Sequence, residues 1–139
     1  MRSSRLVVPL LGMWLFGNLY EQVVWNPQLL ADPRPGSLVG VFAVGSPVYY
    51  YLPWAPLAVV LAVVTRAPRP ALGCLAVSVA MKLLLITQVN PVFRDPSVTR
   101  DVVHDNAVLW AFGNGVVVIA VAAAILLVQR AQRGPASPA

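Results

Sequence analysis

Four long apolar stretches, roughly residues 6–25, 47–65, 71–89 and 107–129, take up most of this chain. Each is close to the ~20 residues that carry a helix across the hydrocarbon of a bilayer. Lipid offers no water to satisfy backbone groups, so an uninterrupted apolar stretch of this length crosses as a helix. The pattern predicts an all-α membrane protein: a four-transmembrane-helix bundle forming one domain over residues 1–133. A Pro/Ser/Ala tail over residues 134–139 is expected to be disordered. Composition agrees, since 58% of residues are hydrophobic and only 11% charged, whereas soluble domains carry roughly a quarter of charged residues. The second stretch is the shortest, and Tyr49, Tyr50, Tyr51 and Trp54 are expected at its interfacial end. Arg2 and Arg5 before the first stretch resemble the start of a secretory signal. No small-x-small cleavage site follows, however, and Asn18, Glu21 and Gln22 sit at its far end, so it reads as a retained span.

Charge orients the bundle. Four crossings put the N-terminus, the middle loop and the C-terminus on one side. Those segments hold Arg2, Arg5, Arg66, Arg69, Arg130 and Arg133 and no acid. The two other loops mix Arg34, Arg94 and Arg100 with Asp32, Asp95, Asp101 and Asp105. An arginine excess marks the cytoplasmic side, so both termini are expected in the cytoplasm of an inner-membrane protein. The net charge of +5 is spread along the chain and makes no basic face for nucleic acid. The lipid bilayer is the expected partner, with self-association left open.

Two segments repeat. The first span runs into Asn26-Pro27 and then Asp32-Pro33; the third runs into Asn90-Pro91 and then Asp95-Pro96. Proline disfavours helix in the residue before it, so each Asn-Pro pair is expected to stop its helix. The match suggests two tandem helical hairpins related by an axis along the membrane normal. A short helix over residues 37–42 is expected in the first outer loop.

Polar side chains inside the spans are costly there and tend to mark function. Counted inwards at ~1.5 Å per residue, Asn18, Lys82 and Asn114 fall at one depth, with Glu21 one turn nearer the outer end. Trp14, Asn18, Glu21 and Trp25 share a stripe of the first span. Ser78, Lys82, Ile86 and Asn90 follow i+4 steps on the third. Trp110 and Asn114 are one turn apart on the fourth, and Gly113 and Gly115 flank Asn114 to allow close helix approach. Lys82 lies too deep to reach water easily and needs a partner or a polar cavity. Glu21 is the one acid within a span. Together they form either a structural ion pair or a polar pocket able to exchange protons.

The remaining candidates are weaker. His104, between Asp101 and Asp105, is a solvated loop histidine or a proton shuttle above the pocket. One histidine and scattered aspartates do not make a metal site. The single cysteine, Cys74, excludes an internal disulfide and is expected to pack. Trp14 and Trp110 lie on the polar stripes, where they can contact a flat apolar ligand.

The run Gly17-Asn18-Leu19-Tyr20-Glu21-Gln22-Val23-Val24, leading to Asn26-Pro27, resembles the first helix of the anthrone-oxygenase-like family of small four-span bacterial proteins. So do the proline- and aromatic-rich entry from Pro47 to Pro56 and the Trp110-x-x-x-Asn114 pair. Val117 stands where members of that family typically carry an arginine, which leaves Lys82 as the cation at that depth. The resemblance implies oxidation of a lipophilic polycyclic molecule without metal, flavin or other cofactor. On that reading Glu21 is the base, and Lys82, Asn18 and Asn114 stabilise the enolate oxygen. Trp14, Trp110, Gln22 and Asn90 are the residues expected around the substrate. Two alternatives stand beside it. Glu21 as an acid could start cyclisation or isomerisation of a terpenoid epoxide or alkene, with tryptophans stabilising the cation. A non-enzymatic accessory subunit would use the same residues as glue between helices.

Overall fold

The computed structural model describes residues 3–37 and 47–133. These residues are 85% helical and contain no strand. Three helices are long and apolar enough to cross a membrane: α1 (Val7–Ala31), α3 (Arg69–Arg94) and α4 (Arg100–Arg133). A shorter apolar helix, α2 (Trp54–Val64), precedes α3. A 3₁₀ turn at Ser3–Leu6 leads into α1 and another at Pro47–Tyr50 precedes α2. The anticipated helix over residues 37–42 falls almost wholly outside the described residues, as does the tail 134–139.

The asparagine–proline pairs do not stop their helices. Both lie inside continuous helix, which ends instead just before Pro33 and Pro96. Ahead of each pair the backbone widens into one π-helical turn, at Glu21–Trp25 and at Leu85–Val89. There the Asn26 N–H donates to the Glu21 carbonyl and the Asn90 N–H to the Leu85 carbonyl, each five residues back. A proline lacks the N–H its α-helical position requires, and its ring collides with the carbonyl four residues earlier. The extra residue per turn absorbs both problems, and the helix continues. It also shifts the buried stripe. On α1 burial passes from Glu21 to Asn26 and leaves Trp25 half-buried, whereas on α3 it passes from Leu85 to both Val89 and Asn90, with Ile86 half-buried.

Packing follows the order α2–α1–α4–α3: α4 lies against α1 and α3, α1 holds α2, and α2 barely meets α3. One core cluster joins Val7, Leu11, Ala58, Ala62, Leu75, Val121 and Val128 near the end that carries Arg66, Arg69 and Arg133, the basic end. The other joins Leu29, Phe93, Val103 and Trp110 near the acidic end, where Asp32, Asp95 and Asp101 lie. Trp25, Phe93 and Trp110 meet edge-to-face there, with centroids 5.8–6.2 Å apart, pairs worth about 0.5–1.5 kcal/mol each. Gly113 sets the α3–α4 distance, because a Cβ there would lie 2.8 Å from Leu85 Cδ2. Gly115, expected to help, plays no such part, since a Cβ there would meet nothing within 4 Å. The exterior is apolar: Val23, Phe112 and Ile119 are among its most exposed residues, while Glu21, Lys82 and Asn114 are buried. Polar inside and apolar outside is the distribution that lipid demands.

Two further boundaries differ from expectation. Helix α4 begins at Arg100, so His104 sits on helix rather than in a loop. Helix α2 has 11 residues, about 16 Å against the ~30 Å hydrocarbon thickness. Tyr51, just before it, meets Glu21, so α2 flanks the basic half of the bundle rather than its whole length.

Candidate functional site

The two buried charges find each other. Lys82 Nζ on α3 donates to Glu21 Oε2 on α1. A second donation, at 3.0 Å, goes to Asn114 Oδ1 on α4. Three helices thus meet at one cation, as the depth count anticipates. Lys82 lies one turn deeper than Glu21, and its long side chain covers the difference.

Asn114 is held from its other side. Its Nδ2 donates to the Asn18 carbonyl at 2.9 Å and to Gln22 Oε1 at 3.1 Å. With both protons spent, its Oδ1 is fixed towards Lys82. Gln22 Oε1 also accepts from Asn26 Nδ2 at 3.3 Å. Gln22, expected against substrate, thus joins Asn114 to Asn26 through its side-chain oxygen.

Tyr51, which sequence reasoning places in the interfacial belt, belongs to the site instead. It is buried, its hydroxyl hydrogen-bonds the Glu21 carboxyl, and Lys82 Nζ lies 4.7 Å from its ring centroid. Trp110 presents its ring to the same ammonium at 5.2 Å. A cation flanked by two rings gains attraction that strengthens as water is excluded. Three tyrosines in a row give no sign of which one turns inwards.

Other expected members stand apart. The Asn18 side chain turns back to its own helix, donating to the Trp14 carbonyl at 2.8 Å, and its Oδ1 has no partner. Only its backbone carbonyl serves the cluster. Ser78 likewise closes on the Cys74 carbonyl at 2.9 Å. Asn90 is buried with Oδ1 unpartnered, but it lies roughly two turns beyond Lys82 along α3. His104 is exposed on α4, with Nδ1 3.7 Å from Asp105 Oδ1. Trp14 lines a cavity beside Lys82 and Tyr51. Cys74 is half-buried against the basic-end core. Among the described residues no three His, Cys, Asp or Glu side chains group as metal ligands do.

Outside the membrane-length segments, Asp32 is shared by Arg34 and by Arg100, whose Nη2 lies 2.7 Å away. Arg100 Nε also donates to the Pro33 carbonyl at 3.2 Å, tying the end of α1 to the start of α4. The hydrogen bond from Arg34, more than the attraction of Arg100, holds the Asp32 carboxyl below the ordinary carboxylate range. Asp95 is held low by the hydroxyl and N–H of Ser97.

What the cluster can do follows from its parts. A carboxyl hydrogen-bonded to an amine lets one proton reside on either partner. Beside it sit a fixed amide, a phenol and two aromatic rings, in a site closed to water on most sides. Such a site can take a proton from a carbon acid and hold the resulting oxyanion. Comparison with known protein families, with curated proteins and with solved structures finds no match for this chain, so the site itself carries the functional reading.

Proposed function

We propose that the chain crosses the cell's inner membrane four times, with both termini cytoplasmic, and acts as an enzyme on a lipophilic small molecule. Residues 47–65 make the second crossing, with α2 traversing the basic half. The arginine excess at the basic end supports the orientation. With Cys74 replaced by alanine, a cysteine at Ser37 or Ser97 should react with an impermeant thiol reagent on intact cells, and one at Ser137 should not. The reverse labelling pattern would overturn the orientation.

The observation that carries the enzymatic reading is the buried Glu21–Lys82 pair, joined to Tyr51 and Asn114, with Lys82 and Tyr51 lining a cavity and Glu21 directly behind them. Glu21 removes an acidic C–H proton next to a carbonyl or phenol, and Lys82, oriented by Asn114, stabilises the enolate oxygen. In the reaction implied by the family resemblance, the carbanion passes two electrons to dioxygen. Loss of water from the resulting hydroperoxide then turns a CH2 group into a carbonyl. The direct contact of Glu21 with an amine favours this base role over the acid-initiated cyclisation, which needs a carboxylic acid with its proton aimed at substrate. Lipid extracts of cells making the wild-type chain should differ from those of cells lacking it, and Glu21→Gln should abolish that difference while accumulating normally in the membrane. An undiminished product in Glu21→Gln would favour an accessory role in which the pair only joins helices.

A further inference from the structure

Helices α2 and α3 follow one another through the turn at residues 65–68 yet barely touch, and the space left over lies between them. A cavity of about 510 Å³ sits there beside Lys82. A second, of about 390 Å³, continues it towards the basic end and shares Val59, Val79 and Leu83 with it. From Ile86 at one limit to Leu72 at the other the seam runs along α3 for roughly 21 Å. Both volumes fall within the few hundred Å³ typical of small-molecule sites. Val60 and Leu83 on its rim are 59% and 57% exposed. The seam therefore opens sideways, onto the apolar outer surface of α2 and α3.

The first cavity is lined almost wholly by apolar atoms, and the polar residues beside it are Tyr51 and Lys82. The Tyr51 hydroxyl is committed to Glu21. The Lys82 ammonium has three N–H groups, of which Glu21 and Asn114 take two. Trp14 contributes its ring, because its unpartnered Nε1 is sealed behind the wall. The wall thus offers one spare donor, the third Lys82 N–H, beside a Tyr51 oxygen whose lone pairs can still accept, so an oxygen of the occupant can take the Lys82 proton. Lys82 is already balanced by Glu21, and an anionic occupant would leave a net negative charge in a low-dielectric interior. The matching group is neutral: a carbonyl, ether or hydroxyl oxygen.

We propose that the α2–α3 seam is a lateral entrance and binding groove for a neutral, elongated lipophile that seats one acceptor oxygen against Lys82. Its hydrocarbon part lies between α2 and α3, against Val59, Val79 and Leu83. The groove supplies the substrate of the reaction proposed above and rests on that reading for its role, but its occupancy is measurable without turnover. A second copy of the chain, or another apolar membrane helix, would cover the seam and leave the third Lys82 N–H unmet.

The test uses the whole chain in lipid discs with three photoreactive probes: octadecanol, octadecanoic acid and phosphatidylcholine, each carrying a diazirine in the acyl chain. Adducts are mapped by mass spectrometry. The alcohol should label Val59, Val79 and Leu83 saturably and be displaced by excess unlabelled octadecanol. Exposed Phe112 and Ile119 should be labelled without saturation. The ionised acid should label the seam about tenfold less, because its charge goes uncompensated. Val79→Phe, which fills the seam, and Val60→Trp, which narrows its rim, should each remove seam labelling and spare Phe112. Saturable labelling that persists in Glu21→Gln supports the groove even where no product is found, which separates the two readings. Seam labelling by phosphatidylcholine equal to that by the alcohol, or labelling that excess alcohol does not displace, would mean that bulk lipid fills the seam. Cross-links between copies across Val59 and Leu83, with no probe adduct, would make it a protein interface. Either outcome overturns the proposal.

Discussion

Helix α1 widens into a π turn at Glu21–Trp25 and then carries Asn26-Pro27; helix α3 does the same at Leu85–Val89 and then carries Asn90-Pro91. The two are offset by 64 residues (85 − 21), which sets Asn18 against Lys82 and Glu21 against Leu85. The backbones match and the side chains do not. At the first position α1 places a neutral amide that folds back on its own helix, while α3 places a cation. At the second, α1 places the carboxyl and α3 a leucine packed on Gly113. A repeated backbone can thus bring both helices to one level and still hold a single, asymmetric charge pair. The ion pair joins positions that are not equivalent, and the length of the lysine side chain spans the one-turn offset.

The largest expected effect comes from breaking that asymmetry on one side only. Glu21→Leu or Lys82→Met alone strands a buried charge and should cost about 3–5 kcal/mol, whereas the double variant should lie close to the wild type. Thermal unfolding in detergent measures all three. Equal losses in the singles and the double would mean that the pair is not coupled.

Next comes the contact on the α3 side. Gly113→Ala forces the buried Leu85 side chain to move and should cost about 1–3 kcal/mol, while Gly115→Ala should stay within about 0.5 kcal/mol. The same unfolding series reads both.

The matched π turns predict a smaller, functional difference. Pro27→Ala allows α1 to relax to regular helix, which would rotate Glu21, the first residue of the wide turn. Pro91→Ala acts on α3 beyond Lys82. Product formation should fall about tenfold or more for Pro27→Ala and less for Pro91→Ala. Equal effects would show that the wide turn does not aim Glu21.

Much of this is legible in the sequence because depth is a count. Apolar stretches fix where spans lie, and residues at like distance from their ends must sit at like depth, so Glu21, Lys82 and Asn114 are expected together. What stays hidden depends on backbone phase. An Asn-Pro pair reads as a helix stop unless a wide turn rescues the carbonyls, and that rescue leaves no mark in the residues before it. The inward turn of Tyr51, rather than Tyr49, depends on where the chain enters α2. The different roles of Gly113 and Gly115 depend on which one faces Leu85. Asn18 attracts notice for its side chain, yet its contribution to the cluster is its carbonyl.

The smallest expected effect is at the surface, where α1 and α4 are tied through Asp32. Arg34 and Arg100 hold the Asp32 carboxyl below its ordinary range. A group lowered on folding stabilises above its unfolded value and loses that contribution as pH falls through the folded value. Wild type should therefore show no change in stability from this group between pH 7 and 5. The tie should weaken only in acid below the ordinary carboxylate range, and Asp32→Asn should remove that acid-dependent part. A stability change near pH 6 that disappears in Asp32→Asn would contradict it.

The measurement closest to the central claim is product formation by the Glu21→Leu/Lys82→Met double variant in cells, beside its level in the membrane. A pair that carries the chemistry leaves a double variant that inserts and accumulates like wild type but yields lipid extracts indistinguishable from those of cells lacking the chain. If the double variant accumulates normally and its extracts match the wild type, the pair is helix glue and the enzymatic account is wrong.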